Sequence, residues 1–448
     1  MLISVFFILL IILGIGLPLL LLICPRQNLA TTIGVSYPLG LGIFTFLMFL
    51  SNLAGIRFSL LNELILLITI SVPLVLIKKR KIGEFFAESV HTFKNLHLSP
   101  VEKVILGVLA FVIISSFINT FYWPVHIWDS ITLYDIRAHI FASTGFMKDT
   151  FFDSYYLSYP LLTSLAHTLT YLAGGKYPQF LHSLFYLSLG VSFYGLVREF
   201  TSRKVGLLVT SILLITGPIF YHSLLSLTNL PFSVYLFTGA TYVYLWDSRQ
   251  TLRDKKNTGY LILSALLISL STWTRSNEPF WVAILLVVFL VSLYRKRFFD
   301  IITYSLFFFP IHEIWKVFQS SLNGTGGSTA GEITGYTKAI PSLFNIGNWG
   351  QVFIYLYKNV VIPWNGIFEV FILATISLFL LKKQKKLFLI FFITFSLLGV
   401  LIAGTIQFSI ATEYWYRIGD AAQRLSMLFY PLFLYCTALV MQEFVKAK

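Results

Sequence analysis

The chain is poor in acid. Only 19 of its 448 residues are Asp or Glu, against 33 Lys and Arg, and charged residues together make up 12%. That excludes an ordinary soluble protein of this length, in which about a quarter of residues are charged. Cysteine is scarce too. Cys24 and Cys436 both sit in or beside apolar runs, which excludes a disulfide framework and a cysteine-based metal site. The N-terminus lacks the basic n-region of a signal peptide, and Cys24 follows Ile23 rather than a small residue. Leu2 to Ile23 is therefore expected to be a retained first span.

What is abundant is hydrocarbon. Hydrophobic residues reach 57%, with 44 Phe and 24 Tyr, and the mean hydropathy is +0.79. These values describe an all-α polytopic membrane protein. Apolar runs of roughly spanning length lie at 2–23, 33–50, 59–77, 104–121, 179–197, 205–222, 230–246, 259–273, 279–294, 298–317, 364–381, 387–408 and 425–442, about thirteen spans in all. Between them fall the basic runs Lys78-Lys79-Arg80-Lys81, Arg198 to Lys204, Arg249 to Lys256, Arg295-Lys296-Arg297 and Lys382 to Lys386, with Lys446 and Lys448 at the end. With every basic run in the cytoplasm the spans alternate without contradiction, N-terminus outside and C-terminus inside. The net charge of +14 is thus explained by the positive-inside rule and anionic headgroups, and no nucleic-acid partner is expected.

Polar interruptions suggest three parts. Residues 1–103 form an N-terminal three-span unit ending in a basic connector, with Ile82–Leu98 resting on the inner surface. Residues 104–318 form a core carrying a first outer loop at 122–178, and residues 319–448 an outer loop and the closing spans. Pro160–Ala173 is expected as an interfacial helix on the outer leaflet. No internal repeat is visible. The Gly-rich run Asn323–Gly331 lacks the Lys-Ser/Thr of a phosphate-binding P-loop.

The stretch from Trp123 to Pro160 holds four of the 19 acids: Asp129, Asp135, Asp149 and Asp153. The same topology brings to the outer face His126, Arg137, His139, Arg275, Glu278, His312, Glu313, Lys316, Glu413, Arg417, Asp420 and Arg424. Charges at span ends are costly near hydrocarbon and tend to mark substrate paths. Arginine is suited to gripping a phosphate with two N–H groups. A carboxylate beside such arginines is the pairing that deprotonates a hydroxyl while a phosphate departs.

Four stretches in order carry a resemblance. Trp128-Asp129-Ser130 with Tyr134, Arg137-Ala138, Gly145 and Tyr159-Pro160-Leu161 resembles the first outer loop of GT-C-type glycosyltransferases, in particular the bacterial membrane group related to protein mannosyltransferases and aminoarabinose transferases. Ser226-Leu-Thr-Asn229-Leu-Pro231 resembles that group's second outer turn, and Trp273-Thr-Arg275-Ser-Asn-Glu278 its (T)-(K/R)-x-E turn. Gln423-Arg424 through Tyr430-Pro431 resembles the opening of its last span. The likeness covers roughly residues 104–442. It implies a transferase taking sugar from a polyprenyl-phosphate donor, with a glycan, lipid or protein hydroxyl as acceptor; the sugar and the oligomeric state stay open. Asp129 matches the loop aspartate that serves as general base, with Asp135 as a second acid. Arg275, Arg424, Arg417 and Lys316 are the candidates for the donor phosphate. Glu278, His126, Arg137, Tyr159 and Asn229 are the candidates for substrate contact, and Trp123, Tyr155, Tyr156 and Trp415 for stacking on a sugar. The chain departs from the group at Ser130, where a Glu is commoner, and at Asn229, where an acid is usual. Both changes weaken a metal site, so a divalent ion is possible but not predicted, and no cofactor is required.

Each candidate also has a plainer role. Asp129 is well placed to cap a helix, Asp135 to pair with Arg137, and Asp149 and Asp153 to form turns. Arg275 and Glu278 are spaced to pair across one helical turn. His126 and His139 suit packing or headgroup contacts, and Lys316 suits a snorkelling cation. Two other functions compete. A polymerase or ligase of lipid-linked glycans relies on a late outer loop with Arg and His, and residues 319–350 contain neither. A flippase would carry charges at mid-membrane in paired halves, whereas here they fall at span ends.

Overall fold

A computed structural model describes residues 2–24, 27–150, 159–248, 258–275, 278–323, 346–380, 387–405 and 420–447. Every described element is helical, and each of the apolar runs read from the sequence carries a helix. The protein is an all-α, polytopic integral membrane protein. Among the described residues, seven helices are long and apolar enough to cross a membrane by themselves, or nine when two bent pairs are counted as one span each.

The remaining spans fall short for physical reasons. Thr258–Thr274 and Glu278–Tyr294 have only 17 residues each. Asn229–Ser248 is long enough but rich in Asn, Ser, Thr and Tyr. Its residues 229–246 are all buried, at the centre of the bundle among other helices. Polar side chains are tolerated there because protein, and not lipid, surrounds them. Both bends have local causes. Arg203–Ile215 and Gly217–Ser223 meet at 68°, where Pro218 lacks the N–H that would continue the ladder. Trp349–Trp364 and Ile367–Phe379 meet at 96° through Asn365 and Gly366, both left-handed, a conformation that these two residue types adopt most readily.

Leu29–Leu53 is almost wholly buried and packs along Phe180–Arg198. The two backbones approach so closely that a Cβ at Gly34 would overlap Ser192, and one at Gly195 would overlap Thr31. Small residues at such crossings are the usual device of membrane helix pairs. The first spans are thus built into the bundle.

Two stretches differ from expectation. Ile82–Leu98 does not begin a separate connector: Leu60–Lys94 is one unbroken helix of 35 residues. Glu84 sustains it by pairing with Arg80 at 2.9 Å and Lys81 at 2.7 Å, the spacing that stabilises an exposed helix face. Residues 162–170 of the Leu162–Leu172 helix are all buried. That helix is wedged against Ile136–Thr144 and Leu29–Leu53 and does not rest loosely on a leaflet.

Candidate functional site

The loop carrying Asp129 begins where Pro100–Tyr122 ends, and Gln179 Nε2 holds the turn by donating to the Trp123 carbonyl at 2.7 Å. A π-helical turn then runs over Ser130–Asp135 and continues into Ile136–Thr144. Such wide turns recur at functional sites because the extra residue re-aims the side chains. A small separate core of Leu133, Tyr134, Leu225 and Leu227 packs this turn against the segment before Asn229. Tyr134 adds a hydroxyl contact to Thr228 Oγ1 at 3.3 Å. Burial pushes its phenol up to about 12, against the pull of Thr228, Arg275 and Arg137.

Asp129 opens the π turn but caps nothing with its side chain. It turns instead to the far end of the sequence. Arg424 Nη1, on the short helix Asp420–Ser426, donates to Asp129 Oδ2 at 3.2 Å. The aspartate side chain is 40% exposed and the arginine 23%, so the pair sits at a surface without being fully solvated.

Arg275 follows the last turn of Thr258–Thr274 and donates from Nη1 to Asn229 Oδ1. Asn229 is buried at the start of Asn229–Ser248. One turn along that helix, Ser233 Oγ donates to the Met427 carbonyl at 3.1 Å, and Trp364 Nε1 donates to Ser426 Oγ at 2.9 Å. The first bond fixes the segment carrying Arg424 against the helix that holds Asn229, and the second fixes it to the Ile362–Trp364 turn. His222 is buried at the end of Gly217–Ser223. Of the two guanidinium groups, that of Arg424 is paired with Asp129 and that of Arg275 with Asn229.

The chain is similar to ArnT from Cupriavidus metallidurans. The likeness is to the apo structure of that protein, at 12% sequence identity and a TM-score of 0.41, over 77% of this chain and 78% of that one. No family model and no curated protein matches the chain.

The other candidates separate. Asp135 faces inward: Tyr171 donates to its Oδ1, His167 Nδ1 lies 3.0 Å from the same oxygen, and His139 Nε2 lies 3.6 Å from Oδ2. Burial alone would raise its carboxyl, but His167, Tyr171 and His139 outweigh it and hold it below the usual carboxylate value. Arg137 is fully buried and donates to the backbone carbonyls of Tyr159 at 2.9 Å and Pro160 at 3.5 Å. Its guanidinium also lies 5.8 Å from the Tyr134 ring centre, and the Tyr134 and Tyr159 rings are 6.2 Å apart. Arg137 thus ties the Ile136–Thr144 helix to the Tyr159–Pro160 segment. His126 is exposed, and its Nδ1 lies 3.1 Å from the Pro124 carbonyl. Asp149 is exposed on a single 3-10 turn. Lys316 lies one turn beyond His312, whose Nδ1 meets Thr272 Oγ1 at 3.3 Å, so its helix packs on the one that ends at Arg275. Asp153, Tyr155, Tyr156, Glu413, Trp415 and Arg417 lie outside the described residues, as do the side chains of Glu278 and Asp420. Among the described residues no group of three or more His, Cys, Asp or Glu is placed to hold a metal ion.

Sequence reading missed three histidines. His167, His182 and His222 are all buried, and the rings of His167 and His182 meet edge-on at 6.1 Å. His182 and His222 sit on helices that pack on each other. His167 Nε2 and His222 Nδ1 have no hydrogen-bond partner within the described residues. The signal was available: each is a lone imidazole in an otherwise apolar helix, a costly position that asks for a reason.

Proposed function

We propose that the protein is a GT-C-type glycosyltransferase. It moves a sugar from a polyprenyl-phosphate donor to an acceptor hydroxyl at the outer face of the membrane, and its C-terminus is cytoplasmic. The observation that supports this best is the meeting of Asp129 and Arg424 at 3.2 Å, with Arg275 held by Asn229 on the same helix whose Ser233 is bonded to Met427, three residues after Arg424. One acid and two guanidinium groups are the minimum that this chemistry asks of a protein.

In this reading Arg275 and Arg424 bind the donor phosphate. A guanidinium carries five N–H donors in a planar fork, so Arg424 is able to engage a carboxylate and a phosphate oxygen side by side. The acceptor oxygen attacks the anomeric carbon, and its proton passes to Asp129. The bond from that carbon to the phosphate oxygen breaks, and its electron pair leaves with polyprenyl phosphate. The charge that grows on the leaving phosphate is met by groups already in place, where electrostatic stabilisation is most effective. Attack opposite the leaving group inverts the anomeric carbon. Asp135, held by His167, Tyr171 and His139, acts here as a positioning residue for the π turn that presents Asp129. Arg137 acts likewise through the Tyr159 and Pro160 carbonyls.

The test is direct. Purified protein in detergent is given polyprenyl-phosphate sugar and a mixture of hydroxyl acceptors, and release of polyprenyl phosphate is followed. Release that depends on Asp129 supports a transferase. If the donor is translocated in vesicles but never consumed, the protein is a flippase.

A further inference from the structure

A second site lies away from Asp129. A groove of about 510 Å³ runs between the first span and the Leu60–Lys94 helix. Leu10 and Leu13 line one wall and Ile68, Val72 and Val75 the other; the only polar side chain along it is Ser71. It continues past the end of the hydrophobic run to Ile82 and Phe86. A helix of 35 residues is about 52 Å long, while the hydrocarbon layer is about 30 Å thick. The groove therefore crosses from hydrocarbon into the headgroup zone.

Two cations interrupt the stripe where it crosses. Lys78 stands three residues after Val75 and four before Ile82; Lys79 stands four after Val75 and three before Ile82. Residues at these spacings share a helix face, so both lysines stand on the groove side of the helix, between Val75 and Ile82, at the edge of the trough and not in its lining. Their neighbours Arg80 and Lys81 are taken by Glu84. Lys78 and Lys79 have no ion-pair partner among the described residues.

We infer that this groove binds one anionic phospholipid, with an acyl chain along Ile68 to Val75 and the phosphate held by Lys78 and Lys79. An apolar trough ending at two adjacent cations matches the two halves of such a lipid, a long hydrocarbon and a negative headgroup. A zwitterionic lipid would fill the trough equally well but gain less at the lysines. A protein segment would need acidic residues at one end of an otherwise apolar, membrane-buried stretch. The site does not depend on the transferase reading.

Native mass spectrometry of the delipidated full-length protein tests this, with phosphatidylglycerol and phosphatidylcholine of identical chains as probes. Each lysine at a membrane surface contributes about 1 kcal/mol toward an anionic headgroup, so phosphatidylglycerol is expected to bind roughly tenfold more tightly or better. Lys78→Gln with Lys79→Gln should bring the two lipids level, and either single exchange should give about half the effect on a logarithmic scale. Arg80→Gln with Lys81→Gln should leave the preference intact. Val72→Trp, at an exposed position in the trough, should weaken both lipids. The proposal fails if the wild-type protein shows no preference. It also fails if Arg80→Gln with Lys81→Gln removes the preference as fully as the Lys78 and Lys79 exchanges, since the attraction would then be diffuse surface charge.

Discussion

Arg424 and Asp129 stand 295 residues apart in the chain and meet at 3.2 Å. Each belongs to a short segment that something else holds rigid. The aspartate side is packed by Tyr134 and its small leucine core. The arginine side is anchored through Ser426 and Met427. A pair formed from two independently braced segments is positioned before any substrate arrives, and pre-positioned groups are the ones that lower a barrier.

Asp129→Asn should keep the fold and lose turnover. The amide still accepts a hydrogen bond from Arg424 but takes no proton. A general base typically contributes about 10²–10⁴-fold, so kcat should drop by that range while the melting temperature changes little. Donor turnover with purified variant and wild type decides it, and equal rates would remove Asp129 from the mechanism.

Asn229→Asp should raise the KM for donor about tenfold and leave kcat closer to wild type. The new carboxylate would pair with Arg275 and compete with the phosphate for it. Arg275→Ala should raise KM further. Initial rates across donor concentrations separate the two effects, and a variant that loses kcat alone would place Arg275 away from the phosphate.

Arg137→Met should destabilise the protein by about 2–4 kcal/mol. The thioether fills part of the space but leaves the Tyr159 and Pro160 carbonyls without their donor, and a buried acceptor that loses its partner costs about 1–3 kcal/mol. Unfolding in mixed detergent measures this. A variant as stable as wild type would show that the carbonyls find other donors.

Asp135→Asn should show its effect only above the range where carboxylates titrate. The folded carboxyl lies below its ordinary value, so its contribution is fully present above about pH 4 and is lost as pH falls through the folded value. Wild type should melt above the variant at pH 7, and the gap should narrow below about pH 4. A gap that stays constant to pH 3 would mean that charge at Asp135 is irrelevant to stability.

The spans were legible because hydrophobic length is a one-dimensional property, and each apolar run from Leu2 to Met441 carries a helix. The members of the candidate site were legible in kind: an aspartate in the loop that follows the Pro100–Tyr122 helix and arginines at the later turns. Its pairing was not. Nothing in the sequence says that Asp129 reaches Arg424 while Arg275 takes Asn229, because that depends on how the closing helices pack. Asp135 and Arg137, two residues apart, read as partners; the π turn sends the acid to His167 and the base to the Tyr159 carbonyl. His182 and His222 were hidden for the opposite reason. Each sits alone in an apolar run, and only the bundle brings them together.

The turn around Leu53 is tied to the strip of chain around Gly145. Asn52 Nδ2 donates to the Gly145 carbonyl at 2.9 Å, its Oδ1 receives the Met147 N–H at 3.1 Å, and the Phe58 N–H donates to the Gly145 carbonyl as well. These bonds latch the early hairpin onto the strip of chain that leads back to Asp135. A chimaera that grafts residues 104–448 behind a foreign leader would lose that latch together with the buried Leu29–Leu53 helix. The smallest transplantable unit of this protein therefore includes its opening hairpin.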